Sequence, residues 1–489
     1  MPLVDRDEPR FAEASREMRE RSDYIVPFFN DKYRFDKPPF IYWTQIASYH
    51  FFGENDFAAR FPSTIAGALT AVLLFGWGRR LGGERVGWWA AIIFTLCLQT
   101  FIHAKASVAD MWLVFFVTAA HWLGYELLRD VLAPETAGPL AANRRWKLWR
   151  FLFYVALGLA FLAKGPLGWL PLLTVLSMKL FVRDVPFLRR FRFGTGMLGA
   201  FLIVALWGMP ALIVTNGEYF NVGIGRHVVE RSFGPMEGHG SQSLESYLLT
   251  LPFYFGTLFI SFFPWSIKLP SLVWRLSRQR DQTDKYLLSG ILIIFVVMSV
   301  IKTKLPHYTL TAFPLLALLL ARHLFELQGF FVRFLRLILP ARLVASPFYN
   351  LRTSPRFAKR AALIAVVVGL ALSFGVFPLI ARNFPSADLF KKSRADLLPA
   401  MDFANVDYFE PSVVWYFRGR AKGFFRGVAP DQVDRFMQHP GPRFIIVPTD
   451  LAKAVYPEMP SGWKSYRTTG YNFVKGKRVD LTLVLKQSQ

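Results

Sequence analysis

Apolar runs separated by short, arginine-rich connections fill the chain from about residue 60 to residue 381. A helix that crosses a bilayer needs roughly 17–25 mostly apolar residues. Segments that reach or approach that length lie at 63–78, 86–103, 110–128, 150–163, 166–182, 194–215, 247–268, 286–301, 308–323 and 361–381. Gly and Pro interrupt several of them, and the neighbours 150–163 and 166–182 read as broken helices lining a cavity. The stretch 324–345 is basic and amphipathic, the pattern of an interfacial helix or a further span. After residue 382 the pattern becomes that of a small soluble domain. Ser412–Phe417 and Phe444–Val447 read as strands, Asp431–Met437 as a short helix, and Tyr471–Leu485 as a hairpin turning at Lys475-Gly476-Lys477. The expected fold is a multi-pass α-helical membrane domain over 1–381, followed by a small C-terminal α/β domain over 382–489.

Composition supports this reading. Hydrophobic residues make up 53% and charged residues 19%, below the roughly 25% charged of soluble domains. The net charge of +24 invites a nucleic-acid reading. That reading fails, because the basic residues sit in short loops and no basic helix or zinc spacing accompanies them. The single cysteine, Cys97, lies in an apolar run, so there is no intrachain disulfide framework.

Lys and Arg also orient the chain. Alternate loops are rich in them (Arg79, Arg80 and Arg85; Arg144, Arg145 and Lys147; Arg189, Arg190 and Arg192; Arg275, Arg278 and Arg280), while the other set holds only Lys105, Lys164, Arg226, Arg231, Lys302 and Lys304. By the positive-inside rule the rich set is cytoplasmic. Residues 1–60, the loops near 104–110, 164–166, 216–246 and 302–307, and everything after 382 are then expected outside. Residues 1–60 are polar and mixed, with no apolar signal segment. A first transmembrane helix encoded upstream of Met1 would carry them across; the alternative is export by the downstream helices.

The polar residues of the expected outer side form five clusters. Asp5-Arg6-Asp7-Glu8-Pro9-Arg10 opens a segment in which Phe11, Ala14, Ser15 and Met18 recur at helical spacing, so an amphipathic helix lying on the membrane is expected. Asp7 then has two readings: an N-cap, or with Glu8 an acidic pair that accepts a proton from an attacking hydroxyl. In Asp36-Lys37-Pro38-Pro39 the prolines hold the chain extended. Lys37 beside them is either a snorkelling interfacial lysine or a point charge for a phosphate. Asp110 opens an apolar run, as a cap or as a functional acid at membrane depth. Lys164-Gly165-Pro166 and Lys302-Thr303-Lys304-Leu305-Pro306-His307-Tyr308 add outer cations. In the loop 216–246, His227 and nearby carboxylates could hold a divalent metal together with Asp36, although no spacing there is diagnostic.

The ordered set DRDEPRFAEASREM, FDKPPFIYW, FGENDFAARFPS, SVADMWLVFF, KGPLG and KTKLPHYTL closely resembles the GT-C glycosyltransferases that use polyprenyl-phosphate sugars. The nearest likenesses are the bacterial aminoarabinose lipid A transferases and the protein O-mannosyltransferases, over residues 4 to 323. The family carries a transmembrane helix ahead of the acidic motif. By resemblance, Asp7 is the catalytic aspartate with Arg10 its basic neighbour, Lys37 binds the carrier phosphate, and Asp110 is the second acid. Asp36 stands where the aminoarabinose enzymes have a metal-associated glutamate, with His227 its partner, and Tyr308 is an active-site tyrosine. Arg34 and His307 depart from the family motif. The resemblance implies inverting transfer from a polyprenyl-phosphate sugar to a lipid, glycan or protein acceptor, without a nucleotide cofactor, at the outer face of a bacterial inner membrane. The alternative is a transporter of lipid-linked sugars; it would place its polar residues at the midplane of repeated halves, whereas here they gather at one face.

Overall fold

The computed structural model describes residues 1–132, 144–181, 187–223, 225, 244–326 and 355–487. Nearly all of the expected interfacial stretch 324–345 lies outside these, as does His227. Helices α1 (Asp7–Arg21) and α2 (Phe40–Phe52) flank a small hairpin of β1 (Phe28–Phe29) and β2 (Lys32–Tyr33). Helix α3 (Asp56–Thr95) contains the first expected span and the start of the second, folded double at Gly82-Gly83, where Gly83 has φ +81°. A Cβ on Gly78 would lie 2.8 Å from the Gly87 Cα, whereas nine residues of straight helix would hold the two about 13 Å apart. The two arms therefore run back along each other, in contact at glycines.

Helices α4 (Leu98–His103), α5 (Asp110–Leu132) and α6 (Arg144–Lys164) follow. At Gly165 (φ +73°) a 3₁₀ turn reverses the chain, and a Cβ on Gly168 would lie 2.5 Å from Ala160 backbone. The two expected pieces are thus arms of a hairpin with Lys164 at its tip, in the loop expected at 164–166. The expected span 247–268 is also broken: Tyr247–Ser261 and Trp265–Arg278 meet at 113°. The expected span 308–323 is a 3₁₀ turn and a short helix, Phe313–His323, whose residues 315–320 are all buried, as in the interior of a helical bundle. Among the described residues six segments are long and apolar enough to cross a membrane, or seven with the bent pair. Leu206 and Phe374 are each 80% exposed on two of them, a surface that lipid rather than water would cover.

Past the last span, five strands form one sheet: β3 (Asp402–Asn405), β4 (Arg426–Gly427), β5 (Arg443–Pro448), β6 (Trp463–Asn472) and β7 (Lys477–Lys486), in the order β4-β3-β5-β7-β6. β3 pairs parallel with β4 and β5, and β7 pairs antiparallel with β5 and β6. Both faces are covered. Phe444, Ile446, Leu483 and Leu485 pack with Leu389, Val413 and Phe417 on one side; Ile445, Val447 and Val484 pack with Val433, Met437 and Ala452 on the other. That double coverage explains the unbroken apolar run of β5. The hairpin and the short helix (Val433–Gln438) form where expected.

Ser412–Phe417, expected as a strand, is instead part of the helix Pro411–Arg418. Pro411 sits in its first turn, where its fixed φ suits a helix. Burial on nearly all sides (Val413, Val414, Trp415 and Phe417) removes any periodicity that separates helix from strand.

This helix covers α1, which corrects a second expectation. Helix α1 does not lie on a membrane surface: ten of its fifteen residues are buried, between α2 and Pro411–Arg418. The Arg418 guanidinium pairs with Glu13, with Glu17 at 3.3 Å and with Glu20 at 2.8 Å. Arg16 donates to the Trp415 carbonyl at 2.8 Å and lies 4.0 Å over the Trp415 ring. Trp415 and Tyr416 donate to the two oxygens of Asp56 at 2.8 and 2.9 Å. Removing one partner of such a buried pair strands the other charge, at a cost of about 3–5 kcal/mol. Arg418→Ala is therefore expected to lower unfolding free energy by about that much, and the exposed Arg420→Ala by less than about 0.5 kcal/mol. Equal melting temperatures for the two purified variants would refute the clamp.

Candidate active site

Distant segments meet in one cavity of about 840 Å³. Residues at the start of α1, the loop 29–37, the connection 103–110, Lys164, the turn 305–308 and the C-terminal hairpin tip Phe473-Val474 all line it. Of the expected site residues it collects Asp7, Arg10, Asp36, Lys37, Asp110, Lys164 and Tyr308.

Asp7 is the first residue of α1, not its N-cap; Arg6 holds the cap position and no side chain caps the helix. The Asp7 side chain is exposed to the cavity. Pro38 and Pro39 keep the preceding residues out of α2, and the Tyr219 hydroxyl donates to the Lys37 carbonyl at 3.1 Å. Lys37 Nζ donates to Asp36 Oδ1 at 2.7 Å, and Arg34 Nη2 donates to Asp36 Oδ2 at 2.9 Å. Arg34 is fixed in turn. Its Nε donates to the Tyr42 hydroxyl at 3.3 Å, and its guanidinium lies 5.1 Å over the Phe11 ring. Burial pushes the Tyr42 hydroxyl up to about 12, so a neutral phenol accepts that bond.

Asp110 opens α5, and its carboxylate faces Lys164 rather than capping the helix: Lys164 Nζ lies 2.6 Å from Asp110 Oδ1. The reversal at Gly165 aims Lys164 across the cavity wall. His307 Nε2 lies 3.8 Å from the same oxygen. The His307 ring packs 4.9 Å from His103 and 5.0 Å from Tyr308, and Lys164 Nζ sits 5.5 Å from the Tyr308 ring centre. The lining carries Arg6, Arg10, Lys32, Arg34, Lys37 and Lys164 against Asp5, Asp7, Asp36 and Asp110, an excess of cation suited to a phosphate group.

Three expected residues lie elsewhere. Glu8 is buried behind Asp7, where it accepts from Arg60 Nε at 2.9 Å, Arg60 Nη2 at 2.7 Å, Ser107 N at 2.6 Å and Val4 N at 2.7 Å. Lys304 Nζ donates to the Ser299 and Ile301 carbonyls at 2.6 and 2.9 Å, closing the end of the helix Gln282–Val300. Lys302 does not line the cavity. As a metal site, Asp36 offers one carboxylate already matched by two cations, and among the described residues no group of three or more His, Cys, Asp or Glu could hold an ion. The donors described here therefore fit a divalent metal poorly. His103 and the hairpin tip are unexpected members of the lining, and Asp5 belongs to the first polar cluster, which gave it no role. His103 had a signal, two residues before Lys105 at the outer end of a span; the hairpin tip had none.

The chain resembles known proteins in sequence and in fold. The sequence model of the dolichyl-phosphate-mannose-protein mannosyltransferase family matches residues 3–220. The undecaprenyl phosphate-alpha-4-amino-4-deoxy-L-arabinose arabinosyl transferase of Edwardsiella ictaluri is 30% identical over 335 residues, covering 66% of this chain and 56% of that protein. The Aeromonas salmonicida enzyme of the same name is 30% identical over 326 residues, covering 65% and 56%. The chain thus spans just over half the length of these curated relatives. The crystal structure of ArnT from Cupriavidus metallidurans bound to undecaprenyl phosphate superposes with a TM-score of 0.72 at 20% identity, covering 98% of this chain and 94% of that one. The chain is a multi-pass membrane protein with an ArnT-like fold, and in sequence it resembles the dolichyl-phosphate-mannose-protein mannosyltransferases and the undecaprenyl-phosphate aminoarabinose transferases.

Proposed function

We propose that the cavity transfers a sugar from a polyprenyl-phosphate carrier to an envelope acceptor, with inversion, at the outer face of a bacterial inner membrane. The observation that carries this reading is the meeting of Asp7, Lys37 and the Asp110–Lys164 pair in one cavity, from segments dozens of residues apart in the chain. The similarity to the arabinosyl transferases and the fold shared with ArnT support it. The outer orientation rests on the arginine-rich turn of α3: Arg79, Arg80 and Arg85 lie at the far end of the first arm from Asp56, about 35–40 Å away by helical rise. Asp56 is the end that α1 and the cavity adjoin.

Polyprenyl phosphate is a competent leaving group, so the chief demand is to stabilise its developing charge. Lys37, held by Asp36, and Lys164, held by Asp110, are fixed cations for that purpose. Pairing each lysine with a carboxylate removes side-chain freedom before the carrier arrives. The two acids then have different tasks. Asp110 has its charge matched by Lys164 and orients that cation. Asp7 stands exposed in the cavity at the start of a helix, positioned to accept a proton from an acceptor hydroxyl and to face the positive charge growing on the sugar. A single displacement inverts the anomeric centre.

Purified full-length protein incubated with a polyprenyl-phosphate sugar and cell-envelope acceptors is expected to yield transferred sugar; absence of transfer to any envelope fraction would sink the reading. Asp7→Asn is expected to slow transfer by about 10²–10⁴-fold while undecaprenyl phosphate still binds. Near-full activity in that variant would remove Asp7 from the chemistry. Lys37→Met loses a charged hydrogen bond to phosphate worth about 1.5–3 kcal/mol. Undecaprenyl phosphate should then bind roughly 10- to 150-fold more weakly in a competition assay, and unchanged binding would place the phosphate elsewhere.

A further inference from the structure

The tip of the β6–β7 hairpin is part of the cavity wall, and a buried pair of acids holds it there. Glu410 immediately precedes the helix Pro411–Arg418 and is 2% exposed. One of its oxygens accepts from the backbone N–H groups of Phe473 and Val474, and the other from the Tyr408 hydroxyl. Asp5 lines the cavity and is 9% exposed. Its Oδ1 accepts from the Ser412 backbone N–H at 2.9 Å, the Ser412 side chain also interacts with the carboxyl, and Oδ2 is buried without a hydrogen-bond partner of its own. The Asp5 and Glu410 side chains face one another. Two buried carboxylates in contact resist ionising together, and a proton held between them satisfies both.

We infer that Asp5 and Glu410 share one proton and act together as positioning residues, holding the wall Phe473-Val474 against the segment that delivers Asp7. The inference rests on the transferase reading for its functional meaning, but not for its physics. Leu3 N donates to the Tyr416 hydroxyl at 2.9 Å, so residues 3–5 are tied to the helix that Glu410 precedes. Asp7 follows two residues later. A shift of that joint moves the hairpin tip and the approach to Asp7 together.

Burial and the neighbouring Glu410 charge hold the Asp5 carboxyl well above the usual carboxylate range. A raised value means that the folded state binds the proton more tightly than the unfolded chain, so the contribution is present at low pH and lost as pH rises through the folded value. The other titratable group on the pair is Tyr408, which donates to Glu410 and also contacts Ser386. Arg6, Asp7 and Arg10 share the cavity with Asp5. Lys475, on the hairpin turn, donates to the Asp407 carbonyl at 3.2 Å.

Hydrogen exchange at the peptide carrying Phe473 and Val474, corrected for the intrinsic effect of pH, tests the inference on the full chain in detergent. From mildly acidic to alkaline conditions, exchange in the wild type is expected to accelerate about tenfold, the loss of one hydrogen bond. Asp5→Asn keeps a donor for Glu410 and an acceptor for Ser412, and should exchange without that pH dependence. Glu410→Gln, which replaces the shared proton with an amide donor, should be equally flat. A wild type with no acceleration, or variants that track the wild type, would overturn the proposal. In the transfer assay the wild-type rate should fall over the same range and the Asp5→Asn rate should not. If no form transfers sugar, the transferase reading fails while the exchange result stands; transfer with parallel pH profiles defeats the inference alone.

Discussion

A buried carboxylate must be matched by donors, and at Glu8 that requirement sets the register of the whole site. Its two oxygens take four donors from three parts of the chain: Val4, Arg60 on α3, and Ser107 in the connection before α5. Leaving such a charge uncompensated would cost several kcal/mol, so these segments cannot drift apart cheaply. Asp7 is the residue before Glu8, and Asp110 lies three residues beyond Ser107. The spacing between Asp7 and Asp110 is therefore fixed by an acid that never reaches the cavity.

The same rule operates on the other side of α1. Arg418 answers three glutamates there, and Asp56 answers Trp415 and Tyr416. Helix α1 is held on one face by the membrane-embedded bundle and on the other by the C-terminal sheet domain. The C-terminal domain is consequently a structural member of the site: it clamps the helix that begins with Asp7 and supplies two lining residues.

Much of the site was legible in the sequence because its signals are local. Prolines 38 and 39 fix the backbone next to Lys37 whatever surrounds them, and Lys164-Gly165-Pro166 announces a break in an apolar run. The order of motifs then marked Asp7, Lys37 and Asp110 as one set. What was not legible depends on packing. Asp7 and Glu8 are adjacent acids about 100° apart around a helix, and only the position of α3 decides which of them faces the cavity. Ser412–Phe417 became a helix because it is buried from both sides, which leaves no period to read. The turn between the first two spans was legible: Gly82-Gly83, where the chain reverses, lies inside the arginine-rich loop expected between 63–78 and 86–103. His227 lies outside the described residues, so its expected place beside Asp36 finds neither support nor correction in the structure.

The clamp on α1 also orders events in time. Arg418 leaves the ribosome 405 residues after Glu13, roughly 20–80 s later at 5–20 residues per second. Throughout that interval the glutamates of α1 have no Arg418 to neutralise them, and the helix keeps an uncovered face. The cavity can reach its final form only once the last domain has docked, so a nascent chain whose membrane spans are all inserted is still without a finished site.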